Sequence, residues 1–200
     1  MSNARLQLSL MVTCDTLPNM DDEVRAALVH DGPSLKFERI LMTTLHDFTL
    51  TGIDGKPMPL SQFKGRAVLL VNTASACGFT PQYAGLEKLW EADGAKGLTV
   101  IGVPCNDFGA QEQGSEAEIG AFCVKNFGVT FPLTEKYSVK GPEAHPLYVW
   151  AAEQAGMLGT PKWNFHKYLF DGEGKFVDWF ASATSPTGPK IRKALEKLLG

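Results

Sequence analysis

Residues 69–80 read LLVNTASACGFT. An apolar run stops abruptly and delivers a single thiol, Cys77, into a Gly-Phe-Thr-Pro turn. The run belongs to a longer stretch, "RAVLLVNTA" from Arg66 to Ala74. Continuous apolar, β-branched sequence of this kind predicts a strand covered on both faces. Pro81 suits the first turn of a helix, so a helix is predicted from Gln82 to about Trp90.

Outward along the chain the pattern repeats. "GLTVIGVPCN" predicts a second buried strand, stopped by Pro104. Ser115 and Glu118 form a capping box that opens a helix to about Asn126, ended by Gly128. "VTFPL" reads as a short extended piece, and "AHPLYVWAAEQAG" as the next helix. "FHKYLFDGEGKFVDWF" is a hairpin of two strands around Asp171-Gly172, and Pro189 to Leu199 is amphipathic and helical. Upstream, "DFTLTGIDGKPMPL" predicts a small hairpin around Asp54-Gly55. The order is β-α-β-α followed by β-β-α. It predicts an α/β protein with a central mixed sheet flanked by helices, the arrangement of thioredoxin-like folds.

Residues 1–44 read as an appendage, with one short helix expected from Asp21 to His30, and residues 45–200 as the thioredoxin-like domain. The chain of 200 residues has a formal charge of -3 and no long basic run, so it carries no footprint for nucleic acid. Lys190, Arg192, Lys193 and Lys197 read as one solvated side of the last helix. No apolar run reaches the length that spans a bilayer, and the N-terminus lacks a signal-peptide pattern. Cys14, Cys77, Cys105 and Cys123 make neither a C-x-x-C pair nor a metal-ligand spacing. That usage points to reducing cytoplasm rather than periplasm.

Cys77 falls where open α/β sheets place reactive groups, at the C-terminal end of a buried strand. A helix N-terminus just beyond it would favour thiolate. The bland alternative is a small buried hydrophobe. The surrounding motifs are "NTASACGFTPQYAGLEKLW", "GVPCNDFGAQEQGSEAEI", "NFGVTFPL", "AHPLY" and "KWNFHKYLFDGEGKFVDWF". In this order they resemble the glutathione peroxidase family, from about residue 45 to the end of the chain.

The resemblance implies a thiol-dependent peroxidase acting on hydrogen peroxide and on organic or lipid hydroperoxides. It assigns Cys77 as the peroxidatic residue, with Gln111, Trp163 and Asn164 completing the site. Thiolate attack on an O–O bond leaves sulfenic acid and expels an alkoxide or hydroxide. Amide and indole N–H groups stabilise thiolate and leaving-group charge without themselves being oxidised. No metal or flavin is called for; the co-substrate is a thiol, glutathione or thioredoxin. The short connection between "AHPLY" and "KWNF" resembles the monomeric branch, which lacks an oligomerisation insertion. Two departures stand out: Ala76 replaces a lysine beside the nucleophile, and Asp107 replaces a glutamine in the "PCNQF" pattern.

Thioredoxin-dependent members carry a resolving cysteine on the helix before the Phe-Pro pair. Cys123 sits one residue earlier than theirs, about 100° around the helix. Ile119, Phe122, Cys123 and Phe127 make an apolar stripe, which predicts a packed Cys123. Cys105 matches a family cysteine that is not the usual resolving one. The expectation is a one-cysteine cycle with glutathione as the first candidate reductant. The competing reading is a thiol redox sensor or relay that oxidises a partner protein through the same Cys77.

Overall fold

The computed structural model describes residues 43–200. Residues 1–42, including the expected Asp21–His30 helix and Cys14, lie outside the described residues. The chain opens with a two-stranded hairpin, β1 (Thr49–Thr51) antiparallel to β2 (Pro57–Pro59). Gly55, at φ +78, supplies the left-handed position in its turn. There follow β3 (Ala67–Thr73), α1 (Gln82–Asp93), β4 (Leu98–Pro104) and α2 (Glu116–Phe127). The second half holds α3 (Pro146–Ala155), β5 (Lys167–Phe170), β6 (Phe176–Phe180) and α4 (Pro189–Leu199).

The main sheet has the order β4-β3-β5-β6. β3 pairs parallel with β4 and antiparallel with β5, and β5 pairs antiparallel with β6. All seven residues of β3 and all seven of β4 are buried, as continuous apolar sequence predicts. Alternation along β3 then divides the core. Ala67, Leu69 and Val71 face Tyr83 and Leu86 of α1, Ile119 and Cys123 of α2, and Ile191 of α4. Val68 and Leu70 face the opposite layer, built from Leu147, Tyr148 and Trp150 of α3 and the N-terminal Leu45 and Leu50.

Several expectations are refined. The "VTFPL" segment and Thr134 after it make only isolated bridges, Leu133 to Gly102 and Thr134 to Gly52. Pro132 lacks the N–H that a continuous ladder needs. Leu133 also sits so close that a Cβ on Gly102 would fall 2.6 Å from its methyl, which explains glycine inside a buried strand. Helix α1 runs past Trp90 to Asp93, whose buried carboxylate takes Arg192 at 2.6 Å and Lys96 at 2.8 Å. Arg192 is therefore not part of a freely solvated face; it ties α4 to α1. The glutamate and serine of the predicted capping box meet as expected, with Ser115 N–H donating to Glu118 Oε2 at 2.8 Å.

One buried cation was not legible as such. Lys167 opens β5 and is fully buried. Its ammonium donates to Gln82 Oε1 at 2.6 Å, to the Phe165 carbonyl at 2.7 Å and to the Thr184 carbonyl at 2.9 Å. It thus joins β5, the start of α1 and the loop after β6. Burial pushes its pKa from 10.5 down to about 7. Between those values the unfolded chain binds more protons than the folded one, so stability rises with pH there. Unfolding free energies from urea titrations between pH 7 and pH 10 should therefore rise more steeply with pH in the wild type than in Lys167→Met. Parallel pH profiles would contradict this assignment.

Candidate active site

Beyond Thr73 the chain leaves β3 in a series of turns, and α1 begins only at Gln82. Four residues, Gly78 to Pro81, separate Cys77 from the helix, so the thiol is not seated on a helix N-terminus as the sequence suggests. The turn's own backbone supplies the donor instead: Phe79 N–H points to Cys77 Sγ at 3.4 Å. This contact strengthens as the sulfur gains negative charge. Thr80 locks the turn. Its hydroxyl donates to the Ala74 carbonyl at 2.8 Å and accepts from Cys77 N–H at 3.0 Å.

The three described cysteines are free and differ in setting. Cys77 keeps 8% of its surface exposed, whereas Cys105 and Cys123 keep none. Burial pushes the Cys105 thiol up to about 12 and the Cys123 thiol up to about 11. Both are thereby held as poor nucleophiles at neutral pH. Cys123 lies in the core with the apolar stripe of α2, its thiol against the Tyr83 hydroxyl.

Gln111 and Asn164 arrive from loops at the same end of the sheet. Ala76 N–H donates to the Gln111 carbonyl at 3.1 Å, tying the Gln111 loop to the residue before Cys77. Asn164 is fully buried, with Nδ2 2.9 Å from Gln111 Oε1 and 3.5 Å from the Phe108 carbonyl. A carbonyl can only accept, so the Asn164 nitrogen must face it. Gln111 then presents its oxygen to Asn164, which leaves its own Nε2 free to donate elsewhere. The Trp163-Asn164-Phe165 segment is braced by Asn72 of β3. That side chain donates to the Trp163 carbonyl at 3.2 Å, and the Asn72 carbonyl accepts from Phe165 N–H at 2.6 Å.

Trp163 is 41% exposed, so it is not a core aromatic. Its ring rests on Phe108, with centroids 6.0 Å apart. The departure at Asp107 has a structural use. Its carboxylate accepts from Ser138 Oγ at 2.9 Å and from Val139 N–H at 2.6 Å, anchoring the loop that sets Lys140 Nζ 4.4 Å above Phe108. Asn72, Thr80 and Glu112 are site-lining groups that no motif singled out. Asn72 and Glu112 act through contacts distant in sequence, Thr80 within its own turn. Among the described residues, no group of three or more His, Cys, Asp or Glu side chains could hold a metal ion.

Backbone strain lies beside both Gln111 and Asn164. Among the described residues only Ala110 (φ +52) and Phe165 (φ +63) are non-glycine residues with positive φ. One directly precedes Gln111; the other directly follows Asn164. Such residues cost on the order of 1–2 kcal/mol each and persist where surroundings over-determine them. Ala110→Gly should therefore raise the thermal midpoint and Ala110→Val should lower it. The reverse order in a melting experiment would remove the strain from this position.

The fold and this thiol turn define a redox protein of thioredoxin-like architecture. The structure aligns with a thioredoxin family thiol:disulfide interchange protein of Chlorobium tepidum at TM-score 0.58 and 17% identity, covering 76% of this chain and 93% of that one. It aligns more closely with the crystal structure of T. cruzi GPX1, at TM-score 0.64 and 35% identity, covering 79% and 97% of the two chains. The family model for glutathione peroxidase matches residues 45–152. The hydroperoxy fatty acid reductase of Synechocystis is 45% identical over 164 residues, 78% of this chain and 96% of that protein. A glutathione peroxidase-like peroxiredoxin of Saccharomyces cerevisiae is 47% identical over 148 residues, 72% and 90% of the two chains. The chain belongs to the glutathione peroxidase family, and it is a peroxidase that draws its electrons from a thiol.

Proposed function

We propose that Cys77 is the peroxidatic thiol and that Gln111, Trp163 and Asn164 are its donors. The Asn164–Gln111 bond at 2.9 Å carries this reading, because it turns the Gln111 amide so that its N–H groups stay available. The Cys77 thiolate attacks one peroxide oxygen, the O–O bond breaks, and the departing alkoxide takes up a proton. The products are Cys77 sulfenic acid and an alcohol, or water from hydrogen peroxide. One external thiol then displaces water to form a mixed disulfide, and a second releases Cys77.

The substrates we infer are hydrogen peroxide and organic, including lipid, hydroperoxides; the Synechocystis relative named for hydroperoxy fatty acids supports the latter class. The cycle uses one cysteine, with glutathione as reductant. Its support is the burial of Cys123 and Cys105 and the raised pKa of both thiols. No prosthetic group takes part. A monomer fits the short connection ahead of Trp163, and a reducing cytoplasmic setting fits the free cysteines. No described helix is long and apolar enough to cross a membrane.

Steady-state peroxide consumption tests the assignment. Cys77→Ser should lose activity by several powers of ten, since serine stays protonated and cannot attack an O–O bond. Gln111→Ala and Trp163→Phe should each slow the peroxide step by about 10–10³, the cost of losing one preorganised donor. A serine variant with more than about 1% of wild-type turnover would show that another residue is the nucleophile. Turnover with glutathione should exceed turnover with thioredoxin and its reductase. Oxidation passed only to one captured partner protein would favour a relay instead.

A further inference from the structure

Glu112 has no part in the chemistry above, yet it is the most deeply placed carboxyl at the site. It is 1% exposed. Its Oε1 accepts from Ser75 Oγ at 2.8 Å, and its backbone N–H donates to Asn106 Oδ1 at 2.9 Å. Its Oε2 is buried without a hydrogen-bond partner. An uncompensated carboxylate in such a place is costly, and a group of this kind is kept only where something offsets the cost.

What it joins is informative. Ser75 lies two residues before Cys77, and Glu112 directly follows Gln111. Between them runs the backbone bond from Ala76 N–H to the Gln111 carbonyl, 3.1 Å long. The side-chain bond and the backbone bond lie side by side, and together they join the nucleophile's loop to the donor's loop. One hydrogen bond allows two loops to pivot; two neighbouring ones hold their orientation. The clasp also forms one wall of a cavity of about 500 Å³, lined by Ser75, Ala76, Gln111, Glu112 and Ile119 among others. Burial raises the Glu112 pKa, against the opposing pull of the Ser75 hydrogen bonds and Lys136. A glutamine in its place would keep the shape and an oxygen that accepts from Ser75.

We propose that Glu112 is a positioning residue: through Ser75 it sets the orientation of Gln111 relative to Cys77. The proposal rests on the reading of Cys77 and Gln111 given above. It predicts a rate effect on the peroxide step alone, shared between the two partners of a single bond.

The test is stopped-flow oxidation of the reduced full-length protein by hydrogen peroxide, with reduction by glutathione measured separately. Ser75→Ala and Glu112→Ala should each slow oxidation by about 10–10², the cost of a misplacement on the ångström scale. The double variant should be no slower than the slower single one, because both remove the same bond. Glu112→Gln, which keeps an acceptor for Ser75, should recover most of the rate lost in Glu112→Ala. The reduction step should be unchanged throughout. Should Glu112→Ala fail to fold, Ser75→Ala carries the test alone. Oxidation of Ser75→Ala at the wild-type rate would overturn the proposal, as would multiplicative losses in the double variant or no recovery with glutamine. A wild type no faster than Cys77→Ser would sink the underlying reading instead, so the two failures are told apart.

Discussion

The register of β3 between its two neighbours governs where everything else falls. Thr73 at the end of β3 lies beside Pro104 at the end of β4, in parallel pairing. Val71 lies beside Lys167 at the start of β5, in antiparallel pairing. Three connections therefore meet at one end of the sheet: the turn carrying Cys77, the loop carrying Gln111, and the segment carrying Trp163 and Asn164. Hydrophobic burial holds this register. A slip by one residue would exchange the two faces of β3, moving Leu69 and Val71 into the layer built for Val68 and Leu70. Each buried side chain of this size is worth roughly 1.5–3 kcal/mol, so the register is strongly specified.

At that rigid end the protein accepts local costs. Ala110 and Phe165 adopt positive φ beside Gln111 and Asn164. Asn72 Oδ1 near the end of β3, and Asn164 Oδ1 and Glu112 Oε2 in the loops beyond, are among the buried side-chain atoms without partners. A core selected for stability alone would remove such features. Together with the positive φ beside Gln111 and Asn164, they are local costs of the kind that persist where the surroundings over-determine them. Lys167 belongs to the same economy of support. It spends a buried ammonium on the carbonyl of Phe165, the strained residue after Asn164.

Much of this was legible in the sequence, and the reasons differ by residue. The strands β3 and β4 announce themselves because burial on both faces demands unbroken apolar runs. Helix α2 is marked by Ser115 and Glu118, and the burial of Cys123 by its place on a helical stripe. Cys77, Gln111, Trp163 and Asn164 came from family motifs rather than from periodicity, since a lone polar residue in a loop has no repeating signal. The roles of Thr80, Asn72, Glu112 and Lys167 were not legible for a related reason. Asn72, Glu112 and Lys167 act through partners brought near by the fold, Glu112 and Ser75 being 37 residues apart and Asn72 and the Trp163 carbonyl 91, whereas Thr80 acts within its own turn, on Ala74 and Cys77. The positive φ of Ala110 and Phe165 was hidden as well, because sequence reading assigns such positions to glycine. Arg192 looked like one of several solvated cations until its partner, the buried Asp93, was placed.

The central claim is that a single thiol, Cys77, takes the oxidising equivalent and hands it to an external thiol. The most direct measurement is to treat the reduced protein with one equivalent of hydrogen peroxide in the presence of dimedone and map the adduct by peptide mass spectrometry. A dimedone adduct confined to the Cys77 peptide, with Cys105 and Cys123 still reduced, is the result expected. An adduct on another cysteine, or a Cys77–Cys123 disulfide that forms faster than dimedone can trap the sulfenic acid, would contradict it.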